Sequence, residues 1–163
     1  MAASVIIKHL HDGSLTVKDG TGTPVSLTVP FSVGDFTLTG VQEQQNAVIA
    51  YETRGDLHVV RHTTRTYPTG SFSVMLADYS DATNQTLRDF LLRQNAYSAN
   101  IGTLTPDEVY AVDLVWTVEG TDLGDPADHV ATMTDCVCTL DFAEGEPNTL
   151  SVSFTMYGTY TQT

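Results

Sequence analysis

Lysine is nearly missing from this chain. Its 163 residues hold two, and with five arginines these face 20 Asp and Glu, for a formal charge of −13. A protein so poor in cations is not built to grip nucleic acid through its phosphates, although nucleic acid is free to pass it. Cysteine is as rare. Cys136 and Cys138 stand two apart, where strand side chains point the same way but a bridge would be strained. Both read as reduced, apolar core residues, and the bridge framework of a small secreted protein is absent. No apolar run approaches the ~20 residues that a membrane helix needs, which excludes an integral helical membrane protein. Met1–Leu10 lacks the apolar core and cleavage site of a signal peptide, because Lys8 and His9 interrupt it. Missing too are a GxSxG elbow, a Cys/His nucleophile spacing and a phosphate-binding loop. Gly20-Thr21-Gly22 is a GxG that no helix follows.

What is present favours strands. There are 25 Thr, 17 Val, 7 Tyr and 6 Phe, and Leu, Ile, Val and Phe together make 41 residues, enough for one domain over 1–163 and too many for disorder. Short β-like runs at Ser4–His9, Ser14–Lys18, Val25–Val29 and Phe36–Thr39 are separated by turn signals. Val41–Asp56 mixes Gln-rich sequence with Val48-Ile49-Ala50-Tyr51 and reads as a long excursion, of the kind that usually has a job. Leu57–Thr66 is a β-branched strand, Tyr67–Gly70 a turn, and Ser71–Ala77 alternates with Phe72, Val74 and Leu76 on one face. One amphipathic helix follows, capped by Asp81 or Ser80, with Leu87, Phe90, Leu91 and Gln94 at helical spacing and Arg88 and Arg93 toward its end. Three long strands then alternate an apolar face with a polar one, built on Val112–Val118, Cys136–Phe142 and Leu150–Met156, the mark of an antiparallel sheet wetted on one side. Charge is polarised as well: residues 94–163 carry eleven acidic side chains and no Lys or Arg.

Candidate chemistry is thin. His58 and His62 would share a face on a helix, but Val59-Val60-Arg61 favours a strand, where they stand ~13 Å apart, too far for one metal. His9, His11 and Asp12 lack a third partner of the right kind. Asp122, Asp125 and Asp128 crowd one loop without the alternation of a calcium-binding helix–loop–helix motif. Nothing selects a glycosidase-like pair among the carboxylates, so an enzyme is the weaker reading and no cofactor is implied. Arg54, Arg61 and Arg65, with His58 and His62, form a basic cluster that reads either as a solvated strand face or as a contact with the acidic surface of another copy.

Three stretches carry a family resemblance: Tyr67-Pro68-Thr69-Gly70-Ser71-Phe72-Ser73-Val74-Met75 leading into Asp78–Thr83, then Val118–His129, then Cys138–Phe154. With the strand order they make most of residues 25–160 resemble the tail tube (major tail) proteins of long-tailed, non-contractile phages. The type VI secretion tube protein is the nearest alternative. The resemblance implies an antiparallel β-sandwich or half-barrel with one flanking α-helix. It implies six-membered rings that stack into a virion tail, assembled in the host cytoplasm, with a lumen through which DNA leaves the capsid. Tape measure, tail terminator and tail tip proteins would be partners, and no membrane would be. On this reading the polar face of the last strands, with Asp113, Glu119, Asp135, Asp141, Ser151 and Ser153, lines an acidic lumen, and the open alternative is that it forms the tube exterior. The excursion at 41–56 and the loop at 120–128 are candidates to project, with Arg54, Arg61 and Arg65 meeting carboxylates such as Asp122 and Asp125 of a neighbour. The rival from another class is a soluble β-sandwich binding module for a carbohydrate or small ligand, using the Asp122–Asp128 loop and calcium.

Overall fold

Period-two alternation puts every second side chain of a strand on one face, and most of this chain follows it. The computed structural model describes residues 12–30, 32–41, 46–98 and 109–163, so the strand expected at Ser4–His9 lies outside the described residues, as do His9 and His11. The strands are β1 (Gly13–Lys18), β2 (Ser26–Thr28), β3 (Thr37–Thr39), β4 (Asn46–Thr53), β5 (Asp56–Arg65), β6 (Thr69–Met75), β7 (Val112–Val118), β8 (His129–Ala143), β9 (Thr149–Met156) and β10 (Tyr160–Gln162), with a helix, α1 (Leu87–Leu92), after β6. The large sheet runs β2-β1-β7-β8-β9-β6-β3, with β10 alongside β8, while β4 and β5 pair in a two-stranded sheet of their own. Every one of these pairings is antiparallel. The chain is mainly β with one flanking helix, as its alternation implies.

The large sheet buries one face. Leu15, Val17, Phe72, Val112, Leu114, Met133, Cys136, Val152 and Phe154 all lie in the core, each worth roughly 1.5–3 kcal/mol if fully transferred from water. Leu87, Phe90 and Leu91 of α1, with Tyr97 just beyond it, join the same cluster and cover that face. The segment from β2 to β3 must travel between opposite ends of the sheet. It does so across the apolar side, where the Phe36 ring stacks on Trp116 and on Phe154, both at 6.0 Å. Cys136 and Cys138 are free thiols, and burial pushes each up to about 12, which keeps them protonated and inert.

One local expectation is corrected. The helix starts at Leu87 with Thr86 as its N-cap, not at Ser80 or Asp81, and Arg88 therefore sits in its first turn. The reason is a competing set of hydrogen bonds. Asp81 turns its carboxylate onto the Thr83 N–H and the Asn84 amide, both at 2.7 Å, which fixes a turn rather than a helical start. Ser80 Oγ and the Asp81 N–H instead donate to the buried carboxylate of Asp89, at 2.9 and 3.1 Å. β8 also extends back to His129 and changes phase on the way. Ala131 and Met133 are buried on β8, but so is Cys136, because Thr134 and Asp135 bulge out opposite Asp113 and shift the alternation by one. Asp135 takes a left-handed φ of 53°, and the chain between β9 and β10 bends to match, with Tyr157 N–H on Asp135 O at 3.0 Å.

Candidate functional site

Opposite the core, the large sheet presents hydroxyl groups in rows. Thr37, Ser71, Ser153 and Thr139 lie across four strands, as do Thr39, Thr69, Thr155 and Val137, and a third row joins Ser73, Ser151 and Asp141. Neighbouring hydroxyls hydrogen-bond across the strands, Thr37 Oγ1 to Ser71 Oγ at 3.1 Å and Ser73 Oγ to Ser151 Oγ at 3.3 Å. The first two rows floor an open trough of about 530 Å³ whose lining carries no Asp, Glu, His, Lys or Arg. Such a surface holds water well and offers no acid–base pair for catalysis.

Carboxylates stand at the margins of this face. Asp113 lies opposite Lys18 and accepts the Asp135 N–H at 3.1 Å. Burial pushes the Asp113 carboxyl above its usual range despite that hydrogen bond, and the charge of Asp135 adds to the effect. Asp113, Asp141, Ser151 and Ser153 thus share one face, and Asp135 projects from the bulge beside it. Glu119 does not join the rows. It follows β7, and its carboxylate accepts the Thr121 hydroxyl and the Asp122 N–H.

The loop at 120–128 is held by its own acids. Asp128 accepts the N–H groups of Gly120 and Thr121 at 3.1 and 3.2 Å, and these bonds draw its carboxyl down to about 2. Asp125 Oδ2 lies 3.3 Å from His129 Nε2, and Asp122 is exposed. Of the three carboxylates the calcium alternative would use, Asp128 is directed at backbone donors and Asp125 at an imidazole. Among the described residues no three His, Cys, Asp or Glu side chains gather as a metal would require.

The excursion and the strand after it prove to be one hairpin arm. Arg54 and Gly55 turn it with φ of 54° and 88°, and β4 pairs with β5 from there back to Asn46 and Arg65. Val48, Ala50 and Glu52 share a face with Leu57, Val60 and His62, while Ile49, Tyr51, Val59 and Arg61 share the other. Consecutive apolar residues on a strand normally mean burial on both sides. Among the described residues neither side is covered: Val48, Leu57 and Val60 are 56%, 63% and 51% exposed on one face, and Ile49 and Tyr51 45% and 51% on the other. Arg54, Arg61 and Arg65 are all exposed along this arm. Arg65 lies over the Tyr67 ring at 5.2 Å, and Tyr67 meets Tyr157 at 4.7 Å.

Two features escaped sequence reasoning. Asp89 is a buried hub, which its place on an amphipathic helix does not announce. Burial alone would push its carboxyl up, but donors from Asn95, Asp81, Ser80 and Thr86 hold it below the usual carboxylate range. Tyr79 and Phe142 form an exposed edge-to-face pair at 6.0 Å, with Arg88 over Tyr79 at 4.4 Å. No sequence signal joins residues so far apart in the chain.

No known protein-family model and no curated protein sequence matches the chain. Solved structures do. A chain of the PVC sheath/tube terminator of an extracellular contractile injection system, in its extended state, aligns with a TM-score of 0.60 at 11% identity, covering 99% of each chain. A chain of the anti-feeding prophage (AFP) baseplate aligns at 0.51 and 9% identity, covering 100% of this chain and 97% of the other. At such identities the likeness is one of fold, extending over the whole chain.

Proposed function

We propose that this chain is a structural tail tube subunit: copies close into rings, the rings stack, and the hydroxyl face with Asp113, Asp135, Asp141, Ser151 and Ser153 lines the lumen. The observation that carries the reading is the β4–β5 arm, apolar on both faces and uncovered on both. A chain that keeps such an arm in water invites aggregation, whereas a ring of copies gives it partners and also covers sheet edges. The fold shared with chains of tail-like particles supports the same reading. Six copies per ring is the number that the sequence resemblance implies.

The polar face suits the passage of DNA. A duplex carries one charge per ~1.7 Å of axis, so a wall of Lys or Arg would hold it by counterion release. Hydroxyls and carboxylates keep a water layer instead and repel phosphate. Partners are then other copies of this chain together with tape measure, terminator and tail tip proteins, in a virion tail put together in the host cytoplasm. The sequence resemblance points to a non-contractile phage, while one fold neighbour belongs to an extracellular contractile injection system. A sheath that co-purifies with the tube distinguishes the two settings.

The test is negative-stain electron microscopy over a range of protein concentration. Rings or hollow tubes whose opening exceeds the ~20 Å width of a duplex are expected. Uniform monomers at high concentration, unchanged when a tail-tip complex is added, would overturn the proposal and favour a binding module.

A further inference from the structure

We propose that the arm of one copy docks on the Tyr79–Phe142 end of the next, a deepening that rests on the self-assembly reading above. Two apolar surfaces of this chain lie uncovered, and their charges are opposite. The arm presents Ile49, Tyr51 and Val59 on the face that also carries Arg61, with Arg54 at its turn and Arg65 at its base; these three cations outnumber Glu52 and Asp56 on the same hairpin, and for Arg54 and Arg61 the described residues offer no ion-pair partner. The other surface sits where β8 ends and β9 begins. Phe142 and Tyr79 are each about half exposed there. Asp78, Glu144 and Glu146, next to them along the chain, are all exposed. The cation at this end, Arg88, is already engaged by Tyr79, Asp89 and Gln94.

Each surface therefore has an apolar centre and a charged rim, and the rims match in sign, the arrangement that selects a partner and sets its register. Because the two surfaces are different parts of one chain, the contact is heterologous. Each copy gives an arm and receives one, so the contact propagates into a closed ring or an open stack. A second copy is the occupant that this chemistry fits. The arm supplies cations and apolar side chains together, and the rest of the chain from residue 94 onward supplies carboxylates without a single Lys or Arg.

Charge reversal on both sides tests the contact. Glu144→Arg with Glu146→Arg should raise the concentration needed for assembly by roughly tenfold or more, and so should Arg54→Asp with Arg61→Glu. Asp is chosen at position 54 because it tolerates the left-handed turn conformation. The two reversed proteins mixed with each other restore opposite charges at every contact when they alternate, and the quadruple variant restores them within one chain; both should recover assembly to within a few-fold of the wild type. Thermal melting of each unassembled variant, expected to match the wild type, shows that the fold is intact. If wild-type protein assembles and either reversal leaves assembly unchanged, the docking assignment fails and the tube reading stands. Loss of assembly that the quadruple variant does not restore also overturns the pairing. If the wild type never assembles, the tube reading fails and takes this inference with it.

Discussion

Replacing Val48, Leu57 and Val60 together by Thr changes one face of the arm and leaves a β-branched residue at all three positions. Those side chains are half or more exposed in the single chain. Full burial of a Val or Leu is worth about 1.5–3 kcal/mol, so about 1 kcal/mol each, or about 3 kcal/mol per docked arm, remains to be gained from a partner. Losing that much weakens one contact by about a hundredfold. Sedimentation velocity across a concentration series reads the effect as a shift in the onset of assembly. The unassembled subunit should keep its melting temperature, because the arm pairs only with itself within the large topology of the chain. If these side chains were already packed inside the chain, the same 3 kcal/mol would lower the melting temperature by roughly 6–12 °C at this size. Either that drop or an unchanged onset of assembly refutes the reasoning.

Three further outcomes follow from the geometry. Gly70→Ala drives a methyl group into the Thr37 carbonyl and the Phe154 ring, and should cost about 2–3 kcal/mol in a urea unfolding titration. Asp89→Ala strands the Ser80 hydroxyl, the Asp81 N–H and the Asn95 amide, and should cost about 3 kcal/mol by the same measurement. Because the folded Asp89 carboxyl is held below its unfolded range, its contribution is complete above about pH 4 and fades as pH falls through the folded value, so the variant should show a flatter acid limb of stability against pH. Asp128, drawn down to about 2, follows the same sign: its hold on the Gly120 and Thr121 N–H groups should persist from neutral pH to about pH 3 and vanish toward pH 2, which amide hydrogen exchange at those two positions can follow.

Much of the core was legible along the chain. The alternations of Phe72-Val74, Val112-Leu114 and Leu150-Val152-Phe154 place their side chains on the buried face without knowledge of any partner strand, since a period of two is a property of the strand itself. The gathering of Asp113, Asp141, Ser151 and Ser153 on the opposite face follows from the same parity. The helix was legible in kind but not in extent. Its apolar spacing is local, whereas its start depends on Ser80 and Asp81 reaching a carboxylate eight or nine positions away.

By itself, then, the sequence determined that the chain is a β protein with one apolar and one hydroxyl face and a cation-free second part. Those properties are set by residue type and by spacing within a few positions. Tertiary structure alone decided the strand order, the bulge at Thr134–Asp135 that resets the phase of β8, the removal of Glu119 from the polar face, and the meeting of Tyr79 with Phe142. It alone also left both faces of the arm uncovered. Each of these depends on which distant segment becomes a neighbour, and burial is a relation between segments that no local pattern contains.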